Sequence, residues 1–437
     1  MKLSRTLLAA LAAVLILLPA TAEDNGMISP YSRYGIGKLG TRQVGFNSAM
    51  AGVGFGTSRG NEVNPLNPAS YAQIDSLSFI FDIGGSLQQS IYKSGGARIN
   101  ATTATLDYAT AGFKVSRRVG VSVGILPLSA VGYSTMSSKT ISESYSQGSD
   151  VVATSAYVGE GGLQEVYLGA GWMPCRYVSV GANIGFVWGS INHSSAITYS
   201  DASVTSSLRS YQSSPRTYKL DLGLQGYIPL GEGNRLVAGA SYSLGHKINR
   251  RADMIVSLDT TSVANAFQLP HTIGAGLSWE HNGRLRVAAD YEFQKWGECR
   301  YPWATTDAYG KEQYKVQQGN FRDSHRFALG VEYRPLGKGM KWREYVSYRL
   351  GFAVTTPYAN VARPGTAALE KGPMSYLATA GVNLPIMNLF GARSSVNIAL
   401  QYERVQPAFA GQIKENYLRL CVGVNFNEEW FSQWRVH

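Results

Sequence analysis

The stretch NYLRLCVGVNF, residues 416–426, alternates between two kinds of side chain at every step. Its even-numbered positions from 418 onward are apolar: Leu418, Leu420, Val422, Val424 and Phe426. The positions between them are mixed in polarity: Tyr417, Arg419, Cys421, Gly423 and Asn425. Successive side chains of a β-strand point to opposite faces, so this stretch predicts a strand with one apolar face. An apolar face toward lipid and a mixed face toward a lumen are typical of a transmembrane barrel strand.

The same period of two recurs along the chain from Leu77 onward, most clearly in residues 285–294 and 326–333. We count about fourteen extended segments, near residues 77–92, 101–116, 119–141, 163–173, 177–193, 216–229, 235–250, 271–280, 284–297, 324–334, 344–358, 374–384, 394–406 and 416–426. The connections between them are mostly short and long in turn, which is typical of short periplasmic turns and long extracellular loops. The sequence therefore predicts an all-β fold, an antiparallel transmembrane β-barrel of about fourteen strands over residues 76–426.

The N-terminus has the pattern of a secretory signal peptide over residues 1–22. Lys2 and Arg5 precede the apolar run Leu7–Ala20, and Ala20-Thr21-Ala22 is a small-residue cleavage site. No later apolar stretch reaches the roughly 18–20 residues that a spanning helix needs. We therefore expect an exported chain that resides in the cell outer membrane.

Composition excludes several classes of function. Only 16% of the residues are charged, while 48 are glycine and 26 are tyrosine, which suits a barrel wall better than a water-soluble exported domain. The net charge of +11 comes from scattered residues, so nucleic-acid binding is not expected. Three cysteines and six histidines form no metal or disulfide pattern, and no nucleophile, zinc or phosphate-binding motif is present. We predict no catalytic residue, no metal and no cofactor.

The third extended segment, residues 119–141, is interrupted by Gly124 and Pro127. Proline has no N–H to donate to a sheet, and glycine weakens a strand interior. In a closed barrel, such an interruption predicts a kink and an opening in the wall. The alternative is a β-bulge that only bends the strand.

Residues 23–75 differ from the barrel region because they are rich in glycine, serine and asparagine and lack regular alternation. Irregular chain cannot face lipid, but it is tolerated inside a lumen. We therefore predict an N-terminal plug over residues 23–75, with one short helix near residues 43–51. A periplasmic extension is the alternative. Residues 427–437 are expected to form a C-terminal tail.

These features together resemble one family. The N-terminal segment contains the triplet Asn67-Pro68-Ala69, about fourteen strands follow it, and the third strand is broken. The chain resembles the FadL/TodX family of outer-membrane transporters for hydrophobic compounds. The stretches SPYSRYGIGKLG (29–40), NPLNPASYAQIDSL (64–77) and GEGGLQEVYLGAGW (159–172) look like the version found in Bacteroidetes-type bacteria.

The resemblance implies a passive transporter of long-chain fatty acids or aromatic hydrocarbons. In the family, a plug in the lumen shifts and the substrate leaves sideways through a kink in the third strand. Asn67, Pro68 and Ala69 match the plug triplet, and Gly124 and Pro127 fall where the lateral gate is expected. The implied partners are a hydrophobic small molecule and outer-membrane lipid, and the barrel is expected to be a monomer.

Several charged residues have the parity of the lumen face, and five of them are basic: Lys219, Arg286, Arg326, Arg349 and Arg419. One of these cations could hold the carboxylate of a fatty acid. Acidic residues are similarly numerous on that face, so salt bridges that brace the barrel and plug are the preferred interpretation.

A rival from another class is a structural or docking barrel that works with a protein secretion system. Long, ordered extracellular loops and an unbroken wall would favour it. A lipid hydrolase embedded in the barrel would need a Ser/His pair at one rim, and the sequence does not single one out.

Overall fold

The computed structural model describes residues 28–76, 78–141, 151–201, 204–257, 259–306, 312–335, 342–363, 369–386 and 394–429. Within these ranges, fourteen antiparallel strands form a closed barrel, in which each strand pairs with the next along the chain. We label them β1 Ser78–Ser94, β2 Ala97–Ser116, β3 Val119–Ile141, β4 Val151–Cys175, β5 Val178–Tyr199, β6 Arg216–Pro229, β7 Asn234–Ser243, β8 Thr272–His281, β9 Leu285–Gln294, β10 Ser324–Tyr333, β11 Ser347–Thr355, β12 Met374–Pro385, β13 Ser395–Gln406 and β14 Lys414–Glu429. Strand β14 pairs with β1 and closes the ring. The predicted all-β, fourteen-stranded antiparallel barrel is confirmed.

The described residues also form short strands and 3₁₀ turns besides the fourteen barrel strands. Additional strands are Lys38–Leu39, Ser207–Ser213, His246–Ile248, Ala252–Val256, Asp259–Val263, Phe267–Leu269, Tyr301–Thr306, Glu312–Gln317, Asn360–Ala362 and Leu369–Lys371. Four 3₁₀ turns are described: Pro30–Arg33, Ser48–Met50, Pro68–Gln73 and Trp342–Glu344. Across the described ranges, none of the helices has the length and apolar character needed to cross a bilayer.

The outer surface of the barrel is apolar, as the alternation predicts. The large apolar side chains exposed there include Ile184, Leu222, Leu277, Leu329, Leu350, Leu400 and Leu420. Trp172, Trp279 and Tyr333 are also exposed, and each lies toward the short-turn end of its strand. An apolar band bordered by aromatic residues is the surface that a barrel presents to lipid.

Most strand bounds differ from the predicted ones by a few residues, and those of β3 and β6 agree with them. The main error concerns residues 151–162, which we expected in a loop. They belong to β4, which forms a tall hairpin with β3. Residues 151–162 are mostly small and lack the alternation of apolar and polar side chains from which the strands were assigned. The short helix expected near 43–51 is present as the three-residue 3₁₀ helix Ser48–Met50.

The N-terminal segment, residues 28–76, lies against the inner face of the wall. Gly171 of β4 and Gly181 of β5 are register partners, and both face the turn at Pro68. A Cβ atom on Gly171 would lie 2.7 Å from the carbonyl oxygen of Pro68, and one on Gly181 would lie 2.5 Å from it. Glycine at these positions therefore allows the two backbones to touch.

Five apolar clusters are buried among the described residues, and two of them are larger than the other three. The larger one lies toward the long loops and includes Ile36, Leu163, Val187, Ile248, Trp296 and Phe321. The smaller one joins the N-terminal segment to the wall through Val44, Phe46, Tyr71, Ile80, Leu126 and Tyr167. The segment is therefore held by apolar packing as well as by backbone contact.

The close approach at Gly181 gives a first prediction. Gly181→Val should push the Pro68 turn off the wall and destabilise the barrel by about 1–3 kcal/mol, the usual cost of overpacking. The measurement is the urea midpoint of the folded band in an unheated gel. Gly226→Val on β6 is the matched control, because a Cβ there would meet only Tyr177 O at 3.9 Å. Equal midpoints for the two variants would contradict the predicted contact.

Candidate functional site

Strands β2 and β3 separate part of the way up the wall. Their ladder runs from Ser116–Val119 to Ala109–Ile125 and ends there. Strand β2 continues to Ala97 while paired with β1, and β3 continues to Ile141 while paired with β4. We call the space between the upper parts of β2 and β3 the wall gap.

Each strand bulges just past the last shared rung. On β3, Pro127 pairs with Gln164 and Ser129 pairs with Leu163, so Leu128 is the extra residue. On β2, the register with β1 shifts between Gly84 and Gly85, so Asp107 is the extra residue. A bulge bends a strand and increases its twist. The two bulges therefore turn β2 and β3 apart at the same height.

The predicted residues Gly124 and Pro127 lie on either side of this point. Gly124 is in the last part of the shared ladder, opposite Thr110, and Pro127 lies two residues past the final rung. On its β4 side the strand stays paired up to Ile141 apart from the bulge at Leu128, whereas on its β2 side the pairing ends. On β4, Gly161 and Gly162 face the kink with φ of 112° and 146°, a conformation that glycine tolerates.

The N-terminal segment covers the edge that β3 exposes above the kink. Lys38 and Leu39 pair with Ala130 and Ser129 as a short antiparallel strand. The amide of Gly40 donates to Leu128 O at 2.9 Å, and the amide of Ile28 donates to Gly132 O at 2.8 Å. The backbone of β3 is therefore hydrogen-bonded by this segment where it has left β2.

The triplet Asn67-Pro68-Ala69 anchors the lower part of the segment. The Asn67 side chain caps the turn by accepting from Ala69 N at 3.2 Å. Its amide nitrogen donates to Phe55 O at 2.8 Å and to the wall carbonyls of Leu224 at 3.1 Å and Ala240 at 3.3 Å. Asn67 therefore joins two parts of the segment to strands β6 and β7.

A cavity of ≈ 290 Å³ lies between the upper part of the segment and the extracellular loops. Its apolar lining comes from the segment, from β3 and from the loops, namely Tyr34, Ile36, Leu39, Leu128, Leu269, Trp296, Tyr358 and Val361. Polar groups lie on the barrel side: Lys219, Glu292, Arg326, Glu403 and Glu415. The volume is close to the lower limit of ordinary ligand pockets, ~300 Å³. Through Leu128, the cavity reaches the kink.

An aromatic cap closes the cavity toward the outside. Trp296 packs on Tyr358 with a ring-centroid distance of 4.7 Å and on Phe321 at 5.4 Å. The hydroxyl of Tyr358 donates to Tyr34 O at 3.1 Å, which ties the cap to the N-terminal segment. Burial beside the cap, together with Asp323 and Glu298, raises the pKa of the Cys299 thiol to about 12. Cys299 is therefore a neutral packing residue.

The predicted lumen cations differ in their partners. Arg286 forms a bidentate pair with Glu62 of the N-terminal segment, with both N···O distances 3.0 Å. Arg286 and Arg349 share the Glu332 carboxylate at 2.6 Å and 2.9 Å. Burial disfavours the charged form of Glu62, but Arg286 and Arg59 outweigh it and hold the pKa of Glu62 below its usual range. Arg286 and Arg349 therefore brace the segment against the wall.

Lys219 belongs to a second buried network. Its ammonium lies 2.7 Å from Asp221 and 3.2 Å from Glu165. Arg42 of the N-terminal segment approaches the same Asp221 carboxylate at 2.8 Å. Coulombic attraction to Asp221 outweighs the cost of burial and raises the pKa of Arg42. Arg42 therefore remains charged and ties the segment to β6.

Arg326 and Arg419 contact neutral groups. Arg326 donates to the Ala51 carbonyl oxygen and lines the cavity. Arg419 donates to Gln88 Oε1 from Nη2 at 2.6 Å and from Nε at 3.2 Å. The five predicted cations thus lie at several places in the lumen and do not form one site.

Sequence reasoning missed Asp107, Glu62 and Arg42. Asp107 occupies a bulge, which interrupts the alternation used to assign faces. Glu62 and Arg42 lie in the irregular segment, where no periodicity indicates direction. The available signal was their position: charged residues in a segment predicted to fill a lumen require partners on its wall. Among the described residues, no group of three His, Cys, Asp or Glu side chains is arranged to hold a metal ion.

Comparisons with known proteins agree with this architecture. A family model described as BamG matches residues 4–437. No curated protein matches the chain. Among solved structures, the CymD monoaromatic hydrocarbon channel is similar with a TM-score of 0.57 and 15% identity, over 90% of this chain and 99% of that one.

Two further solved structures give similar values. The Ralstonia pickettii toluene transporter TbuX has a TM-score of 0.56 and 16% identity, over 90% of this chain and 99% of TbuX. A Pseudomonas aeruginosa FadL homologue has a TM-score of 0.58 and 11% identity, again over 90% and 99% of the two chains. At these identities the likeness establishes the fold, and it confirms the fold expected from the family resemblance.

The bidentate pair gives a prediction with a defined pH dependence. Glu62→Gln should lower stability at pH 7 by about 3–5 kcal/mol, because it removes one partner of a buried ion pair. The folded pKa of Glu62 is depressed, so its contribution is complete above the unfolded value of ~4.3 and is lost as pH falls through the folded value. Urea midpoints of wild type and variant should therefore begin to converge below pH ~4.3 and coincide only below the folded pKa of Glu62.

The control for this test is Glu370→Gln, which removes an exposed pair with Arg363. Such a pair contributes about 0–1 kcal/mol. A Glu62→Gln variant that matches this control at pH 7, or that stays equally destabilised at low pH, would contradict the assignment.

Proposed function

The chain belongs to the BamG family and has the fold of solved hydrocarbon channels, and from these premises we propose that it passes hydrophobic small molecules between its lumen and the outer membrane. The observation that carries the proposal is the parting of β2 and β3 beyond Ala109–Ile125, beside an apolar cavity. Long-chain fatty acids and aromatic hydrocarbons are the substrate classes. Flow is passive, and no catalytic step is assigned.

The height of the wall gap supports exchange with the membrane rather than with the periplasm. About eight residues of β2 separate Ala109 from the short turn after Ser116. At ~3.4 Å per residue and a tilt near 40°, this places the start of the gap ~20 Å above the short-turn rim. The apolar band of such barrels is ~25 Å tall. The gap therefore opens toward the outer leaflet.

The N-terminal segment acts as a plug with a fixed lower part and a movable upper part. Asn67, Glu62 and Arg42 hold the lower part through buried hydrogen bonds and ion pairs. Above them, residues 38–40 lie between the cavity and the kink. Backbone hydrogen bonds hold them to β3, and one ion pair, Lys38 with Glu403 at 2.8 Å, holds them to β13. A shift of this short stretch is sufficient to join the cavity to the wall gap. Gly124 and Pro127 are the gate residues in this proposal.

A carboxylate head group has one preferred partner in the cavity. Arg286, Arg349 and Lys219 are already paired with buried acids. Arg326 lines the cavity and donates to a neutral carbonyl. We therefore assign the carboxylate contact to Arg326 and a bracing role to the others.

Locking the movable stretch tests the proposal. Leu39 and Ser129 are register partners, so Leu39→Cys with Ser129→Cys should form a disulfide in a background that lacks the three native cysteines. We expect toluene uptake into cells to fall at least tenfold under oxidising conditions and to recover on reduction. A pair in the extracellular hairpin, Lys247→Cys with Gln268→Cys, is the control. Uptake that persists with the plug locked would contradict lateral release.

A second candidate function is docking of an outer-membrane partner, including a protein secretion system. The favouring observation is the ordered extracellular cap, whose Trp296, Phe321 and Tyr301 are buried. An extracellular site that captures hydrophobic substrate would leave such aromatic side chains accessible to that substrate. Purification of the full chain from membranes in mild detergent, followed by native mass spectrometry, distinguishes the two. A stoichiometric protein partner favours docking, whereas a lone barrel with bound apolar molecules favours transport.

A further inference from the structure

The inner margin of the wall gap is polar, although the proposed cargo is hydrophobic. On β2 this margin has Thr103, Thr105 and Asp107. Ser86 and Gln88 lie beside them on the neighbouring strand β1, as the register partners of Thr105 and Thr103. Arg419 of β14 completes the group from the far side of β1 as the register partner of Gln88. A pure hydrocarbon cannot hydrogen-bond to these groups, so their presence suggests a substrate that has a polar part.

Asp107 is placed at this margin by the bulge in β2. Its Oδ1 atom accepts from Ser86 Oγ at 2.9 Å and from Thr105 Oγ1 at 2.9 Å. The carboxylate can accept up to about four hydrogen bonds through its two oxygens. Asp107 therefore has capacity to accept from a cation or hydroxyl that comes into the gap.

Arg419 supplies the opposite charge. Its two hydrogen bonds to Gln88 Oε1 use two of the five N–H groups of a guanidinium. Gln88 is itself fixed, because its amide nitrogen donates to Ser90 Oγ at 3.0 Å. Asp107 lies in the bulge opposite Gly84 and Gly85, whereas Arg419 pairs with Gln88. Their backbones are therefore two strands and three to four residues apart, about 15 Å. The Arg419 guanidinium is nevertheless close enough to attract the Asp107 carboxylate.

The outer margin of the same gap is apolar. Leu106, adjacent to Asp107, is 64% exposed, and Ile125 in the last β2–β3 rung is 36% exposed. Both positions have the exposure of lipid-facing residues. The gap thus has an apolar outer margin toward the acyl chains and a charged inner margin toward the lumen.

We propose that the wall gap binds the head group of a zwitterionic glycerophospholipid, with the phosphate on Arg419 and the ammonium on Asp107. Guanidinium groups bind phosphate through charge-assisted, often bidentate hydrogen bonds, and a carboxylate matches an ammonium. The acyl chains remain outside along Leu106 and Ile125. This inference rests on the proposed function, because it names an amphiphile as the molecule that exchanges through the gap.

The test measures binding of dioleoyl-phosphatidylethanolamine and dioleoyl-phosphatidylglycerol to the full chain by native mass spectrometry, with toluene uptake recorded in parallel. Arg419→Gln should weaken binding of both lipids about tenfold. Asp107→Asn should weaken only phosphatidylethanolamine by a similar factor, because only that lipid carries an ammonium. Asp107→Glu should restore the preference. Arg404→Gln on β13, an exposed arginine that bonds Gln406, is the control.

The outcomes separate this inference from the proposed function. Loss of preference in Asp107→Asn with rescue by Asp107→Glu, in barrels that keep their unheated gel mobility, supports the head-group site. Equal binding of both lipids to wild type, or wild-type binding by Arg419→Gln, overturns it even when toluene uptake is intact. Absence of toluene uptake with retained lipid preference leaves the head-group site standing and contradicts the hydrocarbon part of the proposed function. If Asp107→Asn fails to fold, the lipid binding of Arg419→Gln alone supports or overturns the head-group site.

Discussion

The structure depends on how the backbone of β3 is satisfied after it leaves β2. Within a bilayer, unpaired N–H and C=O groups are costly, and this requirement normally forces barrel walls to close. Here the N-terminal segment supplies the missing partners, through Lys38–Leu39 and the amides of Gly40 and Ile28. The kinked wall and the segment therefore depend on each other. In the lower wall, β2 and β3 remain paired with each other.

The lower and upper halves of the lumen are built differently. Below, glycines such as Gly171 and Gly181 let the segment touch the wall, and buried ion pairs through Glu62 and Arg42 hold it. Above, an apolar cavity separates the segment from the cap, and fewer charged contacts hold it. In the proposed function, the rigid base is assigned to closing the barrel to water-soluble solutes, and the less constrained top to movement near the kink.

The barrel was predictable because lipid and lumen impose opposite polarity on alternate residues. The bounds of β3 and β6 follow directly from that alternation. The alternation fails where the two faces of a strand no longer differ in polarity or where a bulge shifts the register. Residues 151–162 continue β4 without that alternation, and Asp107 occupies a bulge that shifts the alternation by one. Parity placed Arg286 and Arg349 inside, but their partner Glu62 is more than two hundred residues away in an irregular segment, so no local pattern could pair them.

The most direct measurement is an experimental structure of the barrel in lipid nanodiscs at a resolution that separates neighbouring strands. The account predicts that the β2–β3 ladder ends at Ala109–Ile125 and that Gly40 N lies within hydrogen-bond distance of Leu128 O. Density for lipid or another apolar molecule should touch Leu106 at the gap. A continuous β2–β3 ladder up to the extracellular hairpin, with the N-terminal segment away from β3, would contradict the account.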